Sequence, residues 1–155
     1  MRLFLKSLLL LVLVAVVFMG CRKGLKRPDP CFEKPLAQEM PAMLAYANET
    51  MANPVIDTTG IIYEIVQPGE GNNPTVLNTV TVNYVGKLLD GTQFDSGSNV
   101  AFYLGSLIVG WQIAVPKLKP GGKMKLIIPS TLAYGCSDFI PKLKSQILYF
   151  EIDLL

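Results

Sequence analysis

Histidine is missing from all 155 residues of this chain. That absence removes imidazole-based triads, His-ligated zinc and paired imidazole acid–base chemistry together. Cysteine is scarce, and Cys21, Cys31 and Cys136 do not fall at the short spacings a metal site needs. No glycine-rich phosphate loop and no close carboxylate pair stands out. Arginine ends at Arg27, and from Pro54 onward seven lysines face eight acids. That region therefore carries one net negative charge and gives no electrostatic reason to bind nucleic acid. An enzyme of this composition must work without a proton shuttle or a covalent nucleophile, and nothing calls for a cofactor or a metal.

The longest apolar run, Leu8 to Met19, is twelve residues, against about 20 for a membrane-spanning helix. Arg2 and Lys6 precede it and Gly20-Cys21 follows, which marks residues 1–20 as a secretory signal. A cysteine directly after Gly20 resembles a bacterial lipoprotein signal. The resemblance implies that Cys21 is lipidated and becomes the mature N-terminus, anchored to a membrane of the cell envelope and facing the periplasm. Phe18 and Met19 are bulkier than such signals usually carry, and an uncleaved signal anchor is the other reading. Arg22, Lys23, Lys26 and Arg27 then lie beside the lipid, as headgroup contacts or as the start of a solvated linker. With Cys21 lipidated, Cys31 and Cys136 remain, and an oxidising compartment permits a disulfide between them.

Residues 21–57 read as a tether. Pro35 to Met51 favours helix, but Pro41 would cost about 3 kcal/mol in a helix interior, so a broken or short helix is expected. Asn53-Pro54 ends it. A domain over residues 58–155 follows, with strands expected at Gly60–Val66, Thr79–Leu89, Ala101–Leu104, Lys123–Pro129 and Leu148–Leu155. In the last, Leu148, Phe150, Ile152 and Leu154 alternate with Tyr149, Glu151 and Asp153. A short helix fits Ile108 to Val115, with Trp111, Val115 and Leu118 on one face before Pro116 curtails it. These elements describe an α+β fold, an antiparallel sheet wrapped over one short helix.

The most informative stretch is Val80 to Phe94, VTVNYVGKLLDGTQF, followed by Asp95-Ser96-Gly97. Val80, Val82 and Tyr84 share one strand face, and Asp90-Gly91 supplies a hairpin turn. An aromatic cavity with one acid at its rim is the expected product. Then come Phe102-Tyr103-Leu104-Gly105, Leu107-Ile108-Val109-Gly110-Trp111 with the single tryptophan, Leu132-Ala133-Tyr134-Gly135, Ile140-Pro141 and the final strand. In this order and at these spacings the blocks resemble the FKBP-type peptidyl-prolyl cis-trans isomerases, from about Gly60 to Leu155.

The resemblance implies an FKBP-like fold, proline-containing polypeptides as substrates, and a set of site residues. Tyr84, Phe94, Trp111 and Phe150 would form aromatic walls and floor. Ile108 would offer its backbone N–H to a substrate carbonyl, with Leu107 beside it. Asp95 would orient polar groups at the rim, Tyr134 would donate its hydroxyl, and Ile140 would close one side. Read singly, each has a plainer role in the core or in a turn; only together do they describe a site. The sequence also departs from the family pattern. The Gly135–Ile140 loop is short, no basic residue between Ser96 and Val100 pairs with Asp95, Val100 or Ala101 stands near an aromatic wall position, and Pro116 shortens the helix. A shallower, more open site is expected. A non-catalytic peptide-binding module or holdase chaperone is the alternative reading. The chain has no room for the long helical dimerisation segment of some relatives, which argues for a monomer.

Overall fold

The computed structural model describes residues 31–155; the expected export segment and Cys21 lie outside the described residues. Phe32–Leu155 forms one compact unit. It opens with helix α1 (Leu36–Thr50), then strands β1 (Val55–Ile56), β2 (Ile62–Gln67), β3 (Thr79–Leu88) and β4 (Gln93–Tyr103), helix α2 (Val109–Ala114), and strands β5 (Lys123–Ile128) and β6 (Leu148–Leu154). All pairings are antiparallel, in the order β1-β2-β5-β6-β3-β4. The Asp90-Gly91 reversal closes the β3–β4 hairpin: Gly91 adopts φ 86°, and the Asp90 carboxylate accepts the Thr92 N–H at 2.8 Å. Lacking a Cβ, glycine adopts that conformation without strain.

Period-two alternation divides the sheet into two apolar faces. Met124, Leu126 and Ile128 of β5 and Leu148, Phe150, Ile152 and Leu154 of β6 pack with Trp111, Ala114, Val115 and Leu118. The intervening Ile127 and Tyr149 join Ile62 on the other face, against Met43, Ala47 and Met51 of the α1 segment. Pro116 acts as its geometry demands. α2 stops at Ala114 and a 3₁₀ turn, Val115–Lys117, takes over.

α1 corrects the expectation of a broken helix. It runs unbroken through Pro41 for 15 residues. Pro41 removes the donor for the Ala37 carbonyl, but both residues are exposed, so water can satisfy that oxygen. Met43 and Ala47 are fully buried on the opposite side, and their burial offsets the loss. The C-terminal end is held as well. The Glu64 carboxylate accepts the N–H groups of Ala52 at 3.0 Å and Asn53 at 2.9 Å, and Lys125 donates to the Thr50 carbonyl.

Truncating Met43 to Ala should cost about 2–5 kcal/mol of unfolding free energy. Pro41→Ala, which restores the missing donor at an exposed position, should raise the midpoint. Urea denaturation of both variants checks the pair; a Met43→Ala cost below about 1 kcal/mol would mean that α1 is not part of the cooperative unit.

Candidate functional site

A cavity of about 200 Å³ opens between the sheet and α2, lined by Tyr84, Phe94, Asp95, Phe102, Leu107, Ile108, Trp111, Tyr134 and Phe150. Its floor is the Trp111 indole, which meets three rings edge-on: Phe150 at 5.3 Å and 90°, Tyr84 at 5.5 Å and 87°, and Phe102 at 6.3 Å and 82°. Phe94 closes the ring set against Phe150 at 5.6 Å and 87°. Edge-to-face pairs of this kind contribute about 0.5–1.5 kcal/mol beyond their burial. They also fix the ring planes, so the hollow keeps its shape when empty.

Backbone register explains why these rings converge. Gly86 faces Asp95 on one side and Phe150 on the other. A Cβ there would stand 2.7 Å from the Phe94 ring and 2.9 Å from the Phe150 ring, and one at Gly97 would stand 2.7 Å from the Tyr84 ring. Both glycines therefore make room for aromatic rings lying over the strands. Between Gly86 and Lys87, β4 advances two residues for one on β3, which leaves Phe94 as the extra residue. Such a bulge re-aims a side chain and increases the local twist.

The polar groups sit at the rim. The Tyr84 hydroxyl donates to Asp95 Oδ2 at 2.9 Å, and the Ser96 N–H donates to Oδ1 at 2.9 Å. Tyr84 and the Ser96 backbone are thus the partners Asp95 finds at the rim. Burial pushes the Tyr84 phenol up to about 12, with the hydrogen bond to Asp95 and its charge acting in the same direction. Burial also raises Tyr134, and the Asp95 charge adds to that. Both hydroxyls accordingly keep their protons; that of Tyr84 is already given to Asp95, which leaves Tyr134 as the donor at the cavity. Among the described residues no acceptor meets the Ile108 N–H. The carbonyl of the adjoining Leu107 is held by the Gln112 side-chain amide at 2.7 Å.

Eight of the nine residues expected at the site therefore line one hollow: Tyr84, Phe94, Asp95, Leu107, Ile108, Trp111, Tyr134 and Phe150. Ile140 does not line it; the side chain packs against the neighbouring core instead. Phe102 was not among the expected residues, yet it supplies the aromatic wall that Val100 and Ala101 lack. Its signal was period-two spacing from Val100 within β4, a strand expected to begin only at Ala101. Gln112 was also missed; a lone amide on an otherwise apolar six-residue helix was its only mark. Chemically, the site can strip water from a compact apolar group and donate hydrogen bonds to carbonyls flanking it, with no nucleophile in place.

Comparison with known proteins gives concordant results. The sequence profile of the FKBP-type peptidyl-prolyl cis-trans isomerase family matches residues 70–155. FkpA of Escherichia coli (strain K12), an FKBP-type peptidyl-prolyl cis-trans isomerase, is 39% identical over 102 residues, which is 63% of this chain and 38% of that protein. Its crystal structure superposes with a TM-score of 0.64 at 32% identity, covering 77% of this chain and 61% of that one. A probable FkpA of Neisseria meningitidis serogroup B is 45% identical over 120 residues, covering 72% of this chain and 43% of that protein. The crystal structure of a peptidyl-prolyl cis-trans isomerase from Pseudomonas syringae pv. tomato superposes with a TM-score of 0.63 at 31% identity, covering 80% of this chain and 96% of that one. The chain thus spans less than half the length of both curated relatives.

The rim geometry can be tested by titration. Asp95→Asn removes the charge that opposes ionisation of Tyr84 and Tyr134, so both phenols should titrate at lower pH than in the native protein. Ultraviolet difference titration reads this directly. An unchanged titration curve would show that Asp95 does not act on either hydroxyl.

Proposed function

Because the chain belongs to the FKBP-type peptidyl-prolyl cis-trans isomerase family, we propose that it accelerates Xaa-Pro bond rotation in exported polypeptides. The observation that carries the reading is the gathering of Tyr84, Phe94, Phe102, Trp111 and Phe150 around one hollow, with the unbonded Ile108 N–H at its edge.

The barrier to this reaction is amide resonance, about 20 kcal/mol, so uncatalysed rotation takes tens of seconds or longer. The planar amide is more dipolar than the twisted transition state, and water stabilises the dipolar form. Binding the proline ring over Trp111 removes that water and favours the twisted form, which is differential binding without proton transfer. The Ile108 N–H takes a substrate carbonyl, the Tyr134 hydroxyl takes another, and Asp95, held by Tyr84, orients the amide at the rim. A thousandfold acceleration requires only about 4 kcal/mol from these effects.

A second reading, a holdase that binds polypeptide with negligible turnover, is favoured by Phe139, which is 87% exposed on the short loop after Tyr134. A protease-coupled proline-peptide assay separates the two. Phe94→Ala and Asp95→Val should each lower kcat/KM at least tenfold. With no histidine in the chain and both site phenols raised, the native profile should be flat from about pH 6 to about 9. Native protein that turns over no faster than the uncatalysed rate while still suppressing aggregation leaves only the holdase.

We also propose that Cys21 carries lipid and anchors the protein to a membrane of the bacterial envelope. The basic flank, the twelve-residue apolar run and Gly20-Cys21 support this. The same compartment suits a disulfide between Cys31 and Cys136. Glu33, two residues after Cys31, reaches within 3.4 Å of a Cβ placed on Gly135, next to Cys136, which supports that pairing. Metabolic labelling with palmitate should mark the native protein and not Cys21→Ser; equal labelling of both refutes lipidation at that site.

A further inference from the structure

Tyr134 is held in place through contacts that lead out of the cavity to α1. Glu39 lies on that helix with only 3% of its surface exposed. Its Oε2 accepts the backbone N–H of Ser130 at 2.9 Å, at the point where β5 gives way to the loop beside the cavity. Ser130 offers its own carbonyl to two N–H groups, that of Ala133 at 3.1 Å and that of Gly135 at 2.8 Å. Those two residues bracket Tyr134. One carboxyl, one buried backbone residue and one tight turn therefore connect α1 to a cavity-lining hydroxyl.

The other oxygen, Glu39 Oε1, is buried without a hydrogen-bond partner. Burying a polar oxygen unpaired is destabilising, and an apolar side chain would fill the position without that cost. A feature that opposes stability in this way is expected where function constrains the residue. Lys34 strengthens the same connection by donating to the Ser145 carbonyl at 3.1 Å, further along the loop.

We propose that Glu39 is a positioning residue for the cavity: it fixes the base of the loop at Ser130 and so sets where Tyr134 presents its hydroxyl. The proposal rests on the isomerase reading only for the ligand, a proline-containing peptide; the coupling itself belongs to the protein without ligand.

The test uses the full-length protein with Glu39→Gln, which keeps an oxygen for the Ser130 N–H, and Glu39→Met, which removes it. Tyrosine-labelled NMR of the ligand-free protein should show the Tyr134 resonance displaced in Glu39→Met and restored in Glu39→Gln. Peptide affinity, read from the fluorescence of Trp111, the single tryptophan, should fall about fivefold in Glu39→Met, as for one lost hydrogen bond. It should fall little further when Glu39→Met is added to Tyr134→Phe, since the hydroxyl being positioned is then gone. An unmoved Tyr134 resonance, or equal losses in both backgrounds, overturns the proposal. If Glu39→Met does not unfold cooperatively, Glu39→Asp, with the carboxyl one methylene short, takes its place in both measurements. Native protein that binds peptide without turnover, with the coupling intact, counts against the isomerase reading alone.

Discussion

Trp111 meets three of the surrounding rings edge-on, and the shape of the cavity follows from that packing. An indole buried to 4% exposure on a six-residue helix has little rotational freedom. Each ring that abuts it takes its orientation from a different strand: Tyr84 from β3, Phe102 from β4 and Phe150 from β6. The sheet must therefore bring three strands to one point, and two glycines must leave their inner surfaces bare for the rings to lie over. A hollow built this way is preorganised. Ligand binding need not supply the free energy of ordering its walls.

Preorganisation bears directly on the chemistry proposed. Amide rotation has no proton to move, so catalysis must come from the difference between how the planar and twisted forms are solvated. A soft pocket that admitted water on binding would lose that difference. Asp95 fits the same logic. Its carboxylate is bound by a neutral hydroxyl and a backbone N–H, not by a cation. Its charge is oriented but not neutralised, and its field still reaches the mouth of the cavity.

The sequence carried the fold class and the rings that now line one cavity, but not every element around them. Tyr84, Phe94, Asp95, Trp111 and Phe150 were legible because each belongs to a short block whose neighbours constrain it: a hairpin, an amphipathic helix turn, an alternating strand. Phe102 was hidden because the two register shifts in β4 both lie before Val100, so its face could not be followed back along the strand to Phe94. α1 was misjudged for a different reason. The cost of Pro41 is local and visible, whereas the compensation lies in Ile62, Ile127 and Tyr149, far along the chain. Those three apolar residues on the outward side of their strands were the available signal that something covers that face. A strand with both faces apolar is buried on both, and the only strongly helical segment left over was residues 35–51.

The chain around α1 also reaches the loop that holds Tyr134. Trimming a loop removes contacts with a ligand, but it also lowers the entropy lost when the loop is ordered. Here the remaining residues are tied down at several points: Ser145 N–H to the Gly135 carbonyl at 2.7 Å, Leu143 N–H to the Ile140 carbonyl at 2.9 Å, and Lys144 to Asp138 at 2.6 Å. The bond from Lys34 to Ser145 adds a contact from outside the loop. A short, fastened loop leaves the cavity open to an extended polypeptide on either side of its proline. It also contributes little ordering cost to each binding event. For the isomerase proposed, which must release its product as readily as it takes up substrate, an open rim over a rigid floor would keep binding energy at the proline ring and away from the flanking chain.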